Sequence, residues 1–242
     1  MNLMGKTTTG LRRQNEDSFF VYSSSSFCVA AVSDGMGGHA AGETASRIAV
    51  ETLKSLLCNT SLLLPDAGML RNAVLRANDA VYSAASEEET LHGMGATLVC
   101  AVLFPDCYIA ANVGDSRLYH YHNNVLTQVT HDHSFVAELV RRKLITPEEA
   151  KTHPRRNLIT RAIGTDSSVK VDLFPCDWHA DDILLLCSDG LSGSVTEDEI
   201  SCVLDSMSSL EEGCSKLIDL ALQNGSSDNI TVLLIQNSED IK

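Results

Sequence analysis

Two aspartates in this sequence are each separated from an apolar run by a single serine and directly precede glycine. Asp34 follows the run at 27–32 (FCVAAV) within the glycine-rich segment 33–43 (SDGMGGHAAGE), and Asp189 lies just beyond the run at 183–187 (ILLLC). Short apolar runs of this kind are typical of buried strands, and glycine lets the backbone approach a ligand closely. We therefore predict one site built from several strand ends, with a cation between its carboxylates.

Three further aspartates lie where predicted strands begin or end. Asp17 precedes the first predicted strand, Asp115 follows the strand predicted at 107–113, and Asp228 precedes the closing strand predicted at 229–236. Each one alone is typical of a turn or a helix cap. The five together, three of them beside glycine, favour a cation site.

Carboxylate oxygens without neighbouring cysteine or histidine ligands suit Mg²⁺ or Mn²⁺ rather than Zn²⁺. Two such ions, ~3.5–4 Å apart, can activate a water for in-line attack on phosphorus. Arg12 precedes Asp17 by five residues, and its guanidinium can bind a phosphate through two hydrogen bonds. The alternative for Arg12 and Arg13 is a pair of solvated charges.

The composition narrows the function classes. The chain has 242 residues, 44% of them hydrophobic, and a formal charge of −14, so one domain is expected over 1–242 and nucleic-acid binding is not. Neither a secretory leader nor an apolar run of ~20 residues is found, which predicts a cytoplasmic protein without membrane contact. The eight cysteines are scattered, contain no C-x-x-C and are expected to be reduced; a monomer is the default.

The periodicity predicts many strands with helices in pairs. Strands are expected at these ranges: 19–22, 27–32, 96–104, 107–113, 117–121, 125–129, 169–174, 182–187 and 229–236. Helical spacing covers 45–57 and 70–84, and the capping sequences at 146–149, 196–199 and 209–212 each begin another helix. Because strands and helices do not alternate strictly, the fold class is α+β rather than a doubly wound sheet.

Seven segments resemble the metal-dependent Ser/Thr protein phosphatases (PPM, type 2C), in that family's order and over nearly the whole chain. They are 12–17, 33–43, 93–97, 112–117, 126–127 together with 132–134, 187–191 and 227–231. The sequence Asp-Gly-Met-Gly-Gly at 34–38 resembles the compact bacterial members. The resemblance implies a four-layer α-β-β-α sandwich, with two stacked antiparallel sheets flanked by helix pairs, and a flap at about 134–164.

The resemblance also implies a role for each acidic residue. Asp34 would bridge two Mn²⁺ or Mg²⁺ ions, with the carbonyl of Gly35 on the second ion. Asp189 and Asp228 would complete the first ion. The second ion would be bound by Asp17, either directly or through water, or by Glu16 as a substitute.

The resemblance further implies a third, weaker ion shared by Asp115 and Asp189, and a phosphate bound by Arg12. The reaction would be hydrolysis of phosphoserine or phosphothreonine by activated water, without a phosphoenzyme. The histidine proposed as general acid in eukaryotic members falls at Met36, so His39 or a metal-bound water is the candidate proton donor; a structural role for His39 is the alternative.

Other functions fit less well. Gly35, Gly37 and Ala40 imitate a dinucleotide-binding fingerprint, but Asp34 would repel the pyrophosphate. No cysteine has an arginine six residues later, which excludes a cysteine-based phosphatase. The main alternative is a non-catalytic relative that binds phosphoproteins, and the presence of all five aspartates and Arg12 opposes it. Phosphorylated proteins, a Ser/Thr kinase among them, are the partners that the resemblance implies.

Overall fold

Eleven strands and seven α-helices are present in this computed structural model, which describes residues 1–37, 40–58 and 65–238. The strands are β1 (Asn2–Thr8), β2 (Asp17–Ser23), β3 (Cys28–Met36), β4 (Gly95–Ala96), β5 (Leu98–Leu103), β6 (Cys107–Val113), β7 (Arg117–His122), β8 (Val125–Gln128), β9 (Asp172–Asp177), β10 (Ile183–Cys187) and β11 (Ile230–Gln236). The helices are α1 (Ala40–Leu57), α2 (Ala67–Glu87), α3 (Phe135–Arg141), α4 (Pro147–Thr152), α5 (Asp189–Ser192), α6 (Glu197–Ser206) and α7 (Leu210–Gln223). A 3-10 turn covers Glu89–Leu91.

The strands form two antiparallel sheets. Sheet I has the order β1-β11-β10-β7-β8, and sheet II has the order β2-β3-β5-β6-β9, with β4 paired to β3. Every strand pair in both sheets is antiparallel. The α+β prediction is confirmed.

Three apolar cores lie between the four layers of the fold, which are two sheets and the helices on their outer faces. One core lies between sheet II and the helices α1 and α2, a second between sheet I and the helices α6 and α7, and a third between the two sheets. Alternate residues of β3 divide between cores, since Val29 and Ala31 face the helices whereas Ala30 and Val32 face sheet I. Both faces are therefore covered, which is why central strands are continuous apolar runs.

Local signals set several of the boundaries. Thr146 and Thr196 form capping boxes with Glu149 and Glu199 at the starts of α4 and α6, as the sequence pattern predicts. Asn123 and Asn124 join β7 to β8 with φ of 48° and 62°, the left-handed pair that a tight hairpin turn requires. All eight cysteines are free thiols, as predicted.

Two strand predictions need correction. β1 was not expected, because Gly5 and Lys6 interrupt its alternation and the strand is only partly buried. β9 lies three residues beyond the predicted 169–174 and contains Pro175; it is an edge strand of sheet II, the position where a proline costs no ladder hydrogen bond. None of the described helices combines the length and apolarity that a membrane crossing requires.

Candidate metal centre

Asp17 and Asp34 are direct cross-strand neighbours at the same end of sheet II. They pair in the register of β2 with β3, so their side chains project from the same face. The backbone of Asp34 is held on its other side by Thr97, whose Oγ1 accepts from the Asp34 N–H at 2.9 Å and whose own N–H donates to the Asp34 carbonyl at 2.8 Å. The strand pairing therefore brings together two carboxylates that are 17 residues apart in the chain.

Asp189 and Asp228 come from the corresponding edge of sheet I. Asp189 follows β10 as the first residue of α5, and Asp228 lies two residues before β11, the neighbour of β10. Gly190 allows the two segments to meet, because a Cβ at this position would overlap the carbonyl oxygen of Asn229. Ser226 Oγ also donates to the carbonyl of Gly190 at 2.9 Å.

Asp17 connects the two sheets. Its Oδ2 accepts from Ser188 Oγ at 2.7 Å and from Thr231 Oγ1 at 2.6 Å, and both donors belong to the Asp189 and Asp228 segments. Its Oδ1 is buried and, among the described residues, has no hydrogen-bond partner; the same is true of Asp189 Oδ1. Buried carboxylate oxygens left unpaired are costly, so two of these oxygens lack the partner that a bound cation would supply.

Asp115 lies after β6 and is buried. Burial, followed by repulsion from Asp189 and Asp132, raises its pKa to about 7, which the charge of Arg117 only partly opposes. It lies in the connection between β6 of sheet II and β7 of sheet I. Asp132 is itself paired with Arg117 through three hydrogen bonds of 2.7–3.1 Å.

Asp17, Asp34 and Asp189 also have raised pKa values, chiefly because they are buried and then because other acidic residues of the group repel them. The pKa of Asp17 rises to about 6, although hydrogen bonds from Thr231 and Ser188 oppose the shift. The pKa of Asp34 rises well above its ordinary value because burial is reinforced by Asp17, Asp189, Asp115 and Asp228. Burial and Asp228 raise the pKa of Asp189, whereas a side-chain hydrogen bond with Asp34 and the charge of Arg12 lower it. Five mutually repelling acids thus share one site.

Gly35 lies where a side chain could not fit. A Cβ there would collide with the carbonyl of Gly42 in the first turn of α1 and approach the carbonyl of Glu16, while the Gly35 N–H donates to that Glu16 carbonyl at 3.1 Å. The Glu16 carboxylate lies against Gly42. Between the two candidates Asp17 and Glu16, the structure thus puts Asp17 among the other carboxyls and Glu16 at the start of α1.

Arg12 reaches the group from the loop after β1. Its Nη2 donates to Asp228 Oδ2 at 2.8 Å, and its side chain is 58% exposed. The guanidinium therefore keeps N–H groups directed to solvent beside the acidic residues. His39 lies outside the described residues, and Met36 is partly buried at the end of β3.

Several positioning residues were not singled out from the sequence. Asn229 is buried and ties three segments, since its Nδ2 donates to the carbonyls of Thr9 and Gln14 and its Oδ1 accepts from the Glu16 N–H. Thr97 contacts Ser116 Oγ at 2.7 Å as well as Asp34. The only sequence signal for Asn229 and Thr97 is that each is a polar residue next to an apolar run.

The metal-like sequence His131-Asp132-His133 does not form a ligand set. Asp132 pairs with Arg117, His133 is buried with its Nδ1 accepting from the Gly114 N–H at 3.0 Å, and His131 packs edge-on to Phe174. These three residues lie in the loop between β8 and α3.

The donor set fits hard divalent cations. It consists of carboxylate oxygens, two of which are buried without a hydrogen-bond partner in the part of the chain that the structure describes. Oxygen ligands of this kind are those of Mg²⁺ and Mn²⁺. A group of acidic side chains at the joined edges of two stacked sheets, with an exposed arginine beside it, is the arrangement expected of a metal-dependent phosphoesterase.

Comparison with known proteins identifies the family. A model described as Protein phosphatase 2C matches residues 5–223. The serine/threonine phosphatase Stp of Listeria welshimeri is 41% identical over 232 residues, which cover 94% of this chain and 92% of that protein. This chain belongs to the protein phosphatase 2C family.

Solved structures agree with that assignment. The crystal structure of a bacterial serine phosphatase superposes with a TM-score of 0.93 at 41% identity, covering 99% of both chains. The catalytic domain of the serine/threonine protein phosphatase PstP, solved in complex with two manganese ions, superposes with a TM-score of 0.83 at 36% identity, covering 96% of both chains. The predicted four-layer phosphatase fold is confirmed.

Proposed function

We propose that this protein is a Mn²⁺- or Mg²⁺-dependent phosphatase that removes phosphate from phosphoserine and phosphothreonine in proteins. The observation that carries the proposal is the group of five aspartates at the joined edges of both sheets, in which Asp17 Oδ1 and Asp189 Oδ1 are buried and have no hydrogen-bond partner among the described residues. Family membership supports the same reaction, because relatives such as Stp of Listeria welshimeri are serine/threonine phosphatases. The intact acidic set favours an enzyme over a non-catalytic phosphoprotein-binding relative.

Two ions are assigned to this group. Asp34 would be a ligand of both ions. Asp189 and Asp228 would complete the coordination of the first ion, and Asp17 with the Gly35 carbonyl would bind the second. Support comes from the Asp17–Asp34 strand register and from the contact of Asp34 with Asp189. The relative PstP was solved with two manganese ions. Asp115 is assigned to a third, weaker ion because it couples to Asp189.

When bound, such ions supply Lewis acidity that lowers the pKa of water and offsets charge on the phosphoryl oxygens. The chain itself binds and orients the substrate. Arg12 is assigned to the phosphate: its exposed N–H groups can donate to two phosphoryl oxygens. Its Nη2 is paired with Asp228, and the exposed part of the guanidinium is left to face the phosphate.

The leaving serine or threonine oxygen needs a proton as the P–O bond breaks. His39 is the candidate donor in the chain, five residues after Asp34. Water is the alternative donor. Either route yields inorganic phosphate and a free hydroxyl side chain.

The whole chain, 1–242, is proposed to act as one phosphatase domain, with the segment 134–164 as a flap beside the cleft. Two contacts support this position of the flap. Ile163 forms a β-bridge with Ala96, and Ala96 pairs with Gly35 in the register of β3 with β4. The end of this segment therefore lies beside the strand that carries Asp34 and Gly35.

Phosphorylated proteins are the proposed substrates, and a Ser/Thr kinase and its targets are the proposed partners. We also propose that the protein acts in the cytoplasm, where its eight free thiols stay reduced, and that it acts as a monomer. Gel filtration together with dephosphorylation of a co-expressed kinase would test the partner and the oligomeric state.

The decisive experiment is hydrolysis of a phosphothreonine peptide with Mn²⁺, with EDTA, and with Mn²⁺ added to the variant Asp189→Asn. We expect turnover only in the wild-type protein with Mn²⁺. The matched control is Asp219→Asn, an exposed aspartate on α7, which should retain full activity. Turnover that persists in EDTA, or in Asp189→Asn at saturating Mn²⁺, would overturn the proposal.

A further inference from the structure

Three imidazoles surround one buried carboxylate at the end of sheet I remote from the acidic centre. His120 Nε2 lies 2.9 Å from Asp182 Oδ2, His122 Nδ1 lies 2.6 Å from Asp182 Oδ1, and His179 Nδ1 lies 3.7 Å from Oδ2. We call His120, His122, His179 and Asp182 the histidine cluster. None of these residues belongs to the metal centre.

The strand geometry explains both the cluster and its separation from the metal centre. His120 and His122 are two residues apart on β7, so they project from the same face. Asp182 directly precedes β10, whereas Asp189 follows the other end of the same strand. At ~3.3 Å per residue, the two aspartates lie ~20 Å apart.

The Asp182 carboxylate is held as an anion by nitrogen donors. Its side chain is only 4% exposed, and its Oδ2 also accepts from the His179 backbone N–H at 2.7 Å. Burial alone would raise the pKa of Asp182, but the hydrogen bonds from His122, the His179 backbone and His120 lower it below its ordinary value. A negative charge is therefore fixed where imidazole nitrogens converge.

These ligand types select a different cation from that of the acidic centre. His120, His122 and Asp182 each offer one ligand atom, and these atoms all lie within 4.8 Å of one another. Two imidazoles with a carboxylate suit Zn²⁺ and the similar ions Co²⁺ and Ni²⁺, whereas Mg²⁺ prefers oxygen donors alone. Zinc sites typically take four ligands, and the exposed His179 stands beside the other three.

The outer ring nitrogens already have partners of the kind that orient metal-binding histidines. Tyr108 Oη lies 3.2 Å from His120 Nδ1, and Asn123 Nδ2 lies 2.7 Å from His122 Nε2. If a cation took His120 Nε2, the ring proton would sit on Nδ1, where the Tyr108 oxygen can accept it. The Asn123 amide, turned over, offers its oxygen to His122 Nε2–H in the same way.

We propose that His120, His122 and Asp182, with His179 as fourth ligand, form a second metal site that binds Zn²⁺ or a similar transition-metal ion. The site is independent of the phosphatase reaction. A bound ion would tie the β7–β8 hairpin to the segment that leads into β10. The expected signature is a site that takes Zn²⁺ and Co²⁺ and discriminates against Mg²⁺.

The test measures metal binding rather than catalysis. Zn²⁺ is titrated calorimetrically into the variant Asp189→Asn, in which the acidic centre is impaired, with Mg²⁺ present in excess to occupy any remaining oxygen sites. One equivalent of Zn²⁺ should bind. Co²⁺ in its place should give the visible absorption of a four-coordinate nitrogen and oxygen site.

His122→Gln separates a metal site from a hydrogen-bonded cluster. Glutamine keeps an N–H that can donate to Asp182, but it lacks the imidazole nitrogen. His122 is partly exposed, so the variant should fold; it is made in the Asp189→Asn background. We expect at least tenfold weaker Zn²⁺ binding and loss of the Co²⁺ absorption, whereas the matched control His92→Ala, an exposed histidine outside the cluster, keeps both.

Two results would overturn the site. One is the absence of stoichiometric Zn²⁺ binding in Asp189→Asn and in the wild-type protein with excess Mg²⁺. The other is Zn²⁺ binding that His122→Gln leaves unchanged. Neither result bears on the phosphatase proposal, which is tested by turnover with Mn²⁺.

Discussion

The two ends of strand β10 show what decides whether a buried carboxylate needs a cation from solution. At one end Asp189 lies among four other aspartates, its Oδ1 has no partner among the described residues, and its pKa is raised. At the other end Asp182 lies among three imidazoles, and its pKa is lowered. The same sheet buries both groups. The two sites differ in their hydrogen-bond donors. The chain itself supplies donors that stabilise the ionised carboxylate of Asp182, whereas at Asp189 a bound ion would have to stabilise it.

The largest expected effect comes from removing the charge of Asp34, the residue that we propose bridges the two ions. Asp34→Asn should remove the ligand that the two ions would share, which should cost several kcal/mol of transition-state stabilisation. At ~1.4 kcal/mol per tenfold change in rate, kcat should fall by about a thousand-fold or more. Turnover of a phosphothreonine peptide at saturating Mn²⁺ measures it. Activity within tenfold of wild type would refute the bridging role of Asp34.

The second prediction concerns the metal-free protein and its response to pH. Asp17, with a pKa of about 6, and Asp115, with a pKa of about 7, both start from an ordinary value of 3.8. Between these values the folded state binds more protons than the unfolded state, so the free energy of unfolding falls as pH rises from about 4 to about 7. At ~1.4 kcal/mol per pH unit, Asp17 alone accounts for ~3 kcal/mol.

Urea denaturation in EDTA at pH 5 and pH 8 measures that decline. Saturating Mn²⁺ should abolish it, because the cation replaces the protons and favours the ionised carboxylates. A metal-free protein that is as stable at pH 8 as at pH 5 would show that the five carboxyls do not repel one another as the structure indicates.

The third prediction is that Arg12→Ala mainly raises KM. A charge-assisted hydrogen bond contributes ~1.5–3 kcal/mol, which corresponds to about a 10- to 100-fold rise. Arg13→Ala, which changes the exposed neighbour, is the matched control and should leave KM unchanged. An Arg12→Ala variant with wild-type KM and kcat would remove the arginine from the phosphate site.

The acidic residues could be predicted from the sequence because each stands beside a local signal, an apolar run or a glycine. Their partners could not be predicted in this way. Arg12 and Asp228 pair across 216 positions, and Asn229 is recognisable as a connector only when the carbonyls of Thr9 and Gln14 are seen around it. Long-range polar contacts leave no periodic trace in a sequence.

The strands, too, could be predicted where the signal is local and were missed where it depends on a distant partner. The apolar runs of β3, β10 and β11 predicted buried strands correctly, because both faces of each are covered. β1 was missed because its partner β11 lies at the far end of the chain and its own residues alternate weakly. The histidine cluster was also overlooked, since Asp182 is 60 positions from His122.

The last prediction compares the acidic group with the histidine cluster, by neutralising one aspartate of each in the metal-free protein. At pH 8, Asp115→Asn should stabilise the fold by ~1–2 kcal/mol, because it removes a buried charge that Asp189 and Asp132 repel. Asp182→Asn should destabilise it by a similar ~1–2 kcal/mol, because an amide accepts fewer and weaker hydrogen bonds from His120, His122 and the His179 backbone. Urea midpoints measured in EDTA, at an unchanged m-value, give both signs. If both variants shifted in the same direction, the local supply of donors would not be what distinguishes the acidic group from the histidine cluster.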